Sequence, residues 1–335
     1  MALNRSSAST IRDVANLANV ALSSVSRVLN GHPAVSEELR SRVLSAVAEL
    51  DYQADFTAAN LRRGSTMTIA FLVRDIASPL FSEMVKAVEA AVEESGYSVL
   101  LMNSGSNPAR EAAHIRTLAR TRVDGVLISL SNETDRDCLA ALKTLRAPVV
   151  LIDRAITDIK SSSVLSDHFS GLSAATKHLA AQGHKRIALI TGPKDVLASR
   201  ERLRGYKSGL RSSGLRSDPA LVRMQSYDEI FGEQQAASLL ALDDPPTAII
   251  AGGAMIGYGT LRSIRDASKV LQVAMVACDP WRAPELFEPS VTVVRRDVAE
   301  IGRVAAELLL EAINVGTYRS VTLPTELVPG TPVRV

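Results

Sequence analysis

The chain has 335 residues, of which 46% are hydrophobic, and a net charge of +2. Because this length exceeds one core of usual size, two or three folding units are expected. The longest apolar runs are of strand length, far short of a membrane span, and the first ten residues hold no apolar stretch typical of a secretion signal. These features exclude a membrane protein and predict a cytoplasmic location.

The sequence lacks the usual marks of an enzyme or a metal protein. Cys138 and Cys278 are far apart and belong to no CxxC pair, and the five histidines show no metal-ligand spacing. No GxSxG, HExxH, GxxxxGK[ST] or strand-linked GxGxxG motif is present. We therefore predict no catalytic residues, no metal and no cofactor.

Three short helices are predicted in the first fifty residues. Thr10 and Asp13 resemble the capping box that starts a helix, and Asn19 suits a tight turn because it tolerates the left-handed conformation. A second helix is expected over about Leu22–Leu29, and a third begins at Ser36. Two short helices joined by such a turn form a helix-turn-helix unit.

The outer face of the second helix indicates a function for this unit. Its residues Leu22, Ser23, Ser26 and Arg27 share one side that points away from the small core. A serine-rich, arginine-bearing helix suits the major groove of DNA. Helical periodicity alone fits a plain three-helix bundle without a ligand equally well, but this polar face favours DNA binding.

The segments TIRDVANLANVALSSVSRVLNG (10–31) and VSEELRSRVLSAVAELDY (35–52) resemble the DNA-binding head of the lactose-repressor (LacI/GalR) family. The resemblance extends over nearly the whole chain and implies a homodimer that reads a near-palindromic operator. In this family, bases are read at the positions of Leu22, Ser23 and Arg27, and phosphates are contacted or approached at those of Ser24 and Asn30.

Residues 54–65 are the predicted hinge. In the family that the chain resembles, this segment folds into a short helix only on operator DNA, where a leucine enters the minor groove. Leu61 occupies that position, Ala58 is the small residue that lets two hinge helices approach, and Arg62 can neutralise a phosphate. The alternative is an ordinary flexible linker.

After Gly64 the sequence alternates between strand and helix patterns, which is the signature of parallel sheets with helices on both faces. Eight or more such units exceed one sheet, so the α/β sensor domain is expected to have two doubly wound, parallel-sheet lobes, like a periplasmic binding protein. The predicted strands are Thr68–Val73, Tyr97–Met102, Gly125–Leu130, Val149–Ile152, Arg186–Thr191, Ala248–Ala251, Val273–Ala277 and Val291–Val294.

The resemblance also bears on the oligomeric state. Relatives that tetramerise carry a heptad-repeat helix after the last strand, and no such helix pattern follows the strand-like segment 322–328, so we expect a dimer.

The predicted domain organisation follows from these patterns. The all-α helix-turn-helix head spans 1–53, the hinge 54–65 and the sensor domain 66–335. The N-lobe is expected over about 66–165 and 296–320, and the C-lobe over about 166–295 and 321–335. Small molecules bind at the carboxyl ends of parallel strands, which places an effector in the cleft between the lobes.

The resemblance implies the first residues of the effector site. Leu80 and Phe81 would form apolar walls, Arg202 the main polar anchor, and Asp279 an acceptor for a hydroxyl or amine. Many sugar-sensing relatives carry Asn-Asp where this chain has Gly253-Ala254. The loss of those two side chains disfavours an ordinary neutral sugar.

Further arginines indicate the charge of the effector. Arg74 and Arg296 stand where relatives often have uncharged residues, and Arg154 follows a strand at its carboxyl end. Because a guanidinium fork matches two acceptor oxygens, we expect an anionic effector such as a sugar acid, a phosphorylated sugar or another small organic acid. The alternative is that Arg74 and Arg296 pair with nearby carboxylates such as Asp75 and Asp297, or face solvent.

The sequence therefore predicts a sequence-specific DNA-binding transcription regulator whose operator affinity depends on a small molecule held between two lobes. The alternative is a periplasmic-type solute-binding protein without a DNA role, because the sensor lobes alone would have the same pattern. The helix-turn-helix pattern and the missing signal sequence argue against this alternative.

Overall fold

The computed structural model describes residues 9–29, 32–52, 65–281 and 290–333. The chain divides into two compact units, residues 1–66 and 67–335. Four predicted DNA-binding residues, Asn30, Ala58, Leu61 and Arg62, lie outside the described residues.

The first unit contains the three predicted helices, α1 (Ile11–Leu17), α2 (Leu22–Leu29) and α3 (Glu37–Glu49). The capping box is formed, since the Thr10 backbone N–H donates to Asp13 Oδ2 at 2.8 Å. Asn19 adopts the expected left-handed conformation with φ of 53°. Ser36 is the N-cap of α3 rather than its first helical residue. The small core contains Val14, Ala15, Ala18, Val25, Val28, Val43 and Ala46.

The second unit alternates strands and helices throughout. Its strands are β1 (Thr68–Val73), β2 (Ser98–Asn103), β3 (Gly125–Ile128), β4 (Val149–Ile152), β5 (Ser162–Ser166), β6 (Ile187–Thr191), β7 (Val222–Met224), β8 (Ala248–Gly252), β9 (Ala274–Cys278), β10 (Thr292–Arg296), β11 (Ser320–Leu323) and β12 (Thr325–Val328). Its helices are α4 (Pro79–Glu93), α5 (Pro108–Thr121), α6 (Arg136–Leu142), α7 (His168–Ala181), α8 (Leu197–Ser212), α9 (Glu229–Leu240), α10 (Ala254–Asp266) and α11 (Val298–Val315).

These strands form two six-stranded sheets, one for each lobe. The first has the order β11-β5-β4-β3-β1-β2, and all of its strands are parallel. The second has the order β12-β10-β9-β8-β6-β7, in which only β12 runs antiparallel to its neighbour. The predicted architecture of two doubly wound lobes is confirmed.

The chain passes between the lobes after β5, after β10 and between β11 and β12. The last passage follows Leu323, so the predicted lobe boundary at about residue 320 falls inside β11. Because of these passages, the carboxyl ends of strands from both sheets meet at one cleft, as expected for ligand sites in α/β folds. In the ranges that the structure describes, no helix combines the length and apolarity needed to cross a bilayer.

Candidate functional site

The cleft between the two lobes holds a cavity of only about 20 Å³, roughly the space of a single water molecule. The two lobes are therefore closed on each other. All seven residues predicted to bind the effector line this cavity, together with six that were not predicted. The lining residues are Arg74, Leu80, Phe81, Met84, Ser129, Ile152, Asp153, Arg154, Ala198, Arg202, Tyr227, Asp279 and Arg296.

Arg296, at the end of β10, ties the two lobes together. Its Nη1 contacts Asp153, which follows β4 in the first sheet, and its Nη2 lies 2.5 Å from Asp279 Oδ1, which follows β9 in the second. Arg296 does pair with carboxylates, as in the alternative to an anion site, but with Asp153 and Asp279 and not with its neighbour Asp297. Successive side chains of a strand point to opposite sides, and Asp297 caps α11 by accepting from the Glu300 N–H at 2.9 Å.

Arg202, on α8, belongs to the same buried network. Its Nη2 lies 3.2 Å from Asp279 Oδ1, and its Nη1 donates to the Gly252 carbonyl at 2.7 Å. Burial alone would raise the pKa of Asp279, but the charges of Arg296 and Arg202 outweigh it and lower that pKa. Asp279 therefore stays ionised and neutralises its arginine neighbours.

Arg74, directly after β1, has a different environment. Its guanidinium carbon lies 4.6 Å from the centre of the Tyr227 ring and 5.3 Å from that of Phe81. Its side chain makes no hydrogen bond or ion pair with the described residues, so the alternative that it pairs with Asp75 is wrong. Asp75 Oδ1 instead accepts from the Ala77 N–H, as is common in tight turns. Burial and the charge of Arg154 lower the pKa of Arg74 to about 10, so it remains a cation at neutral pH.

Arg154 is 2% exposed and lies at the carboxyl end of β4. Its Nε donates to the Leu130 carbonyl at 2.6 Å and its Nη1 to the Asp153 carbonyl at 2.7 Å. Its Nη2 is buried without a partner among the described residues. The charged head is thus fixed in place while one of its donors remains unused.

Tyr227, which the sequence analysis missed, fills the space beside Gly253. A Cβ on Gly253 would lie 3.2 Å from the ring, and one on Gly192 would clash with it at 2.1 Å. The hydroxyl is 2.6 Å from Ser199 Oγ. The ring thus lies against the position where sugar-sensing relatives carry the asparagine of their Asn-Asp pair. Tyr227 follows the three-residue strand β7, which is too short to be recognised from its pattern.

Glu133 is a second residue that sequence reasoning missed, since nothing in the loop after β3 indicated a role. It belongs to the first lobe, yet its Oε1 accepts from the Leu197 N–H at the start of α8 at 2.8 Å. Its Oε2 lies 3.0 Å from Arg200 Nη2 in the same helix. Val196, the N-cap of α8, has no side-chain acceptor, so Glu133 caps this helix across the cleft.

His168 is buried at the start of α7 with its Nε2 3.3 Å from Asp153 Oδ1. Burial and the nearby charge of Arg202 lower its pKa to about 4, against an ordinary value of 6.5. The unfolded chain therefore binds a proton at mildly acidic pH that the folded chain does not bind.

We expect the free energy of unfolding to fall as the pH decreases from 6.5 to 4, because protonation of His168 favours the unfolded state in this window. Urea denaturation at several pH values would measure this slope. His168→Gln should reduce this slope by the part that His168 contributes. Equal slopes for wild type and His168→Gln would contradict the assignment.

The predicted DNA-binding face of α2 is also present. Val25 and Val28 are buried, whereas Ser23 and Arg27 are exposed and Leu22 is 42% exposed. Ser24 and Ser26 are half-buried. The guanidinium of Arg27 makes no hydrogen bond or ion pair with the described residues, so it is available to an outside partner. The role of these side chains in reading DNA stays a prediction.

Comparison with known families covers both units. Residues 10–55 match the family described as bacterial regulatory proteins, lacI family. Residues 66–328 match the family described as periplasmic binding proteins and sugar binding domain of LacI family. The two matches together span most of the chain in the predicted order.

Individual relatives agree with these matches. The chain is 30% identical to the HTH-type transcriptional repressor PurR of Actinobacillus pleuropneumoniae serotype 3 (strain JL03), covering 91% of each chain. It is 30% identical to the ribose operon repressor of Escherichia coli (strain K12), covering 92% of this chain and 94% of the relative.

A crystal structure of the Lac repressor dimer bound to operator and the anti-inducer ONPF is similar with a TM-score of 0.85 and 25% identity, covering 98% of this chain and 99% of that one. The complex of the transcriptional regulator CelR with cellobiose is similar with a TM-score of 0.73 and 30% identity, covering 96% and 99%. The relatives are transcription regulators and not enzymes, as predicted. On the evidence of both matches and the shared fold, this chain belongs to the LacI family as a DNA-binding transcriptional repressor with a ligand-binding domain.

Proposed function

We propose that a small anionic effector, bound in the cleft between the lobes, controls the affinity of this repressor for its operator. One observation carries the proposal: four arginines and two aspartates line the cavity, which leaves an excess of two positive charges in a closed, buried space. A buried charge excess is unfavourable unless it is compensated, and an anion would compensate it.

The proposed mode of DNA reading follows the exposed face of α2. Leu22, Ser23 and Arg27 would contact base edges, with Ser26 on the same side of the helix. Ser24 and Asn30 would lie beside the phosphates. Ala58, Leu61 and Arg62 would act in the hinge when it meets the minor groove. The guanidinium of Arg27 supports this arrangement, because it is exposed and has no hydrogen-bond or ion-pair partner in the described part of the chain.

The experiment that tests effector control combines two measurements. Calorimetry with a panel of sugar acids, sugar phosphates, organic acids and neutral sugars should show binding of an acid without turnover. Gel retardation with DNA from upstream of the protein's own gene should then show that this acid changes operator binding. A neutral sugar that binds as tightly as any acid would contradict an anionic effector. Absence of any DNA binding would favour a solute-binding protein instead.

The assembly that we propose is a homodimer in which each chain reads one half of a near-palindromic operator. The similarity to the Lac repressor dimer supports it. Light scattering of the purified full chain at micromolar concentration should give twice the mass of one chain, which is 35.8 kDa. A stable tetramer or a monomer at this concentration would contradict the proposal.

A further inference from the structure

Four guanidinium nitrogens around the cleft cavity are buried without a hydrogen-bond partner among the described residues. They are Arg74 Nε, Arg154 Nη2, Arg202 Nε and Arg296 Nε. Since buried donors are nearly always satisfied in folded proteins, four unmet donors around one cavity indicate that a ligand supplies acceptors there.

The acceptors in this cavity are already in use. Asp279 Oδ1 faces Arg202 and Arg296, and its Oδ2 lies 3.4 Å from Arg202 Nη2. Asp153 Oδ2 contacts Arg296, and its Oδ1 accepts from the Ser166 N–H at 2.9 Å. A sugar hydroxyl needs an acceptor for its proton as well as a donor. The residues that line the cavity therefore suit a ligand that is rich in acceptors and poor in hydroxyl groups. Because the closed cavity has room for about one water molecule, such a ligand would bind with the lobes moved apart.

Two of the four arginines that line the cavity are neutralised by carboxylates, and the other two are not fully neutralised. Arg202 and Arg296 are balanced by Asp279 and Asp153, with which they form buried ion pairs. Arg74 forms no ion pair with the described residues. Arg154 lies 3.8 Å from Glu133, but that carboxylate is shared with Arg200 at 3.0 Å.

The nearest further carboxyl group does not replace a ligand. Glu111 attracts Arg74 electrostatically but forms no ion pair with it, and it lies outside the cavity lining. Its Oε1 accepts hydrogen bonds from the Ser131 N–H at 2.9 Å and from the Ser104 hydroxyl at 3.1 Å. Two cations from the same lobe thus face the cavity without a full partner.

From this we infer that the effector is a compact dianion whose charged oxygens bind between the guanidinium groups of Arg74 and Arg154, while Arg202 and Arg296 stay with their aspartates. The inference rests on the proposed function and narrows it to one ligand class. A phosphomonoester and a dicarboxylate share this chemistry, because both carry close to two negative charges at neutral pH. The rings of Phe81 and Tyr227 hold Arg74 in place, which orients its donors toward such a ligand.

The test uses the full chain and matched probes in calorimetry and thermal unfolding. Succinate and glycerol 3-phosphate are the dianions, butyrate is the matched monoanion, and glycerol is the neutral control. We expect at least one dianion to bind at millimolar concentration or better, and both butyrate and glycerol to bind at least about tenfold more weakly than that dianion. Which of the two dianions binds distinguishes a carboxylate ligand from a phosphate ligand.

Variants locate the site. Arg74→Gln should weaken binding of the dianion by at least about tenfold. Arg74→Lys should weaken it by less, because lysine keeps the positive charge but lacks the paired N–H donors of the guanidinium group. Arg303→Gln removes a half-exposed arginine of α11 that pairs with Glu300 and Glu307 and does not line the cavity, and it should change affinity by less than about twofold. The thermal unfolding midpoint of each variant without ligand shows whether it is folded.

Several outcomes would overturn the inference. It fails if neither dianion binds at millimolar concentration, or if Arg74→Gln binds the dianion as tightly as wild type. A monoacid that binds better than any dianion and shifts operator affinity would also contradict the dianion inference. The proposal that an anion controls the repressor would then still hold. A dianion that binds as expected but never alters operator affinity would leave the site in place and remove the proposed function.

Discussion

Arg27→Ala is expected to abolish the preference of the repressor for its operator over scrambled DNA. A bidentate contact of arginine with guanine O6 and N7 contributes about 1–3 kcal/mol of discrimination, and Arg27 is the exposed side chain of α2 that can make it. Competition gel retardation with operator and scrambled duplexes measures the preference directly. The sensor unit should fold and bind its ligand as before, because it is a separate compact unit.

Arg40→Ala is the matched control for this experiment. Arg40 lies on α3 of the same unit, where it forms an ion pair with the exposed Glu37 at 3.8 Å. Its loss should weaken binding to operator and scrambled DNA equally, since a general loss of positive charge carries no sequence information. If Arg27→Ala kept full operator preference, bases would be read elsewhere and α2 would not be the recognition helix.

Asp153→Asn is expected to lower the free energy of unfolding by about 3–5 kcal/mol, the usual cost of removing one partner of a buried ion pair. Asp153 contacts Arg296 and lies 3.3 Å from His168, and its other partner, the Ser166 N–H, can still bond to an amide oxygen. The loss would therefore come from the uncompensated charge of Arg296. Urea denaturation at pH 7 would measure it.

Asp158→Asn provides the comparison for a surface ion pair. Asp158 lies 3.6 Å from Lys143, and both side chains are more than half exposed. Such a pair contributes at most about 1 kcal/mol, so this variant should be close to wild type. Equal losses for Asp153→Asn and Asp158→Asn would show that Arg296 is adequately compensated by Asp279 alone.

The regular elements of the fold were predictable wherever hydrophobic periodicity was strong. All eight predicted strands form, and each begins and ends within two residues of its expected bounds. Strands β5 and β11 were missed because their sequences, SSVLS and SVTL, are largely polar. Parallel strands buried by helices on both faces are recognised by long apolar runs, which these two lack.

The sequence predicted residues that line the candidate site, but not which of their side chains form ion pairs with each other. Strand ends and the family resemblance placed Arg74, Arg154 and Arg296 at one cleft. The alternative that Arg296 pairs with a nearby carboxylate such as Asp297 named the wrong group, because its partners are Asp279 and Asp153, the latter 143 positions away. Such pairings depend on how the two sheets face each other, which residue spacing does not encode.

The cap that Glu133 supplies to α8 couples the opening of the cleft to a single amide proton. When the lobes separate, the Leu197 N–H loses its acceptor in the other lobe and becomes open to exchange with solvent deuterium. The same motion pulls Glu133 away from Arg200, so the first turn of α8 loses both its acceptor and its ion pair. The hydrogen-exchange rate of the Leu197 amide therefore reports how often the cleft opens, and it can be measured without a bound ligand.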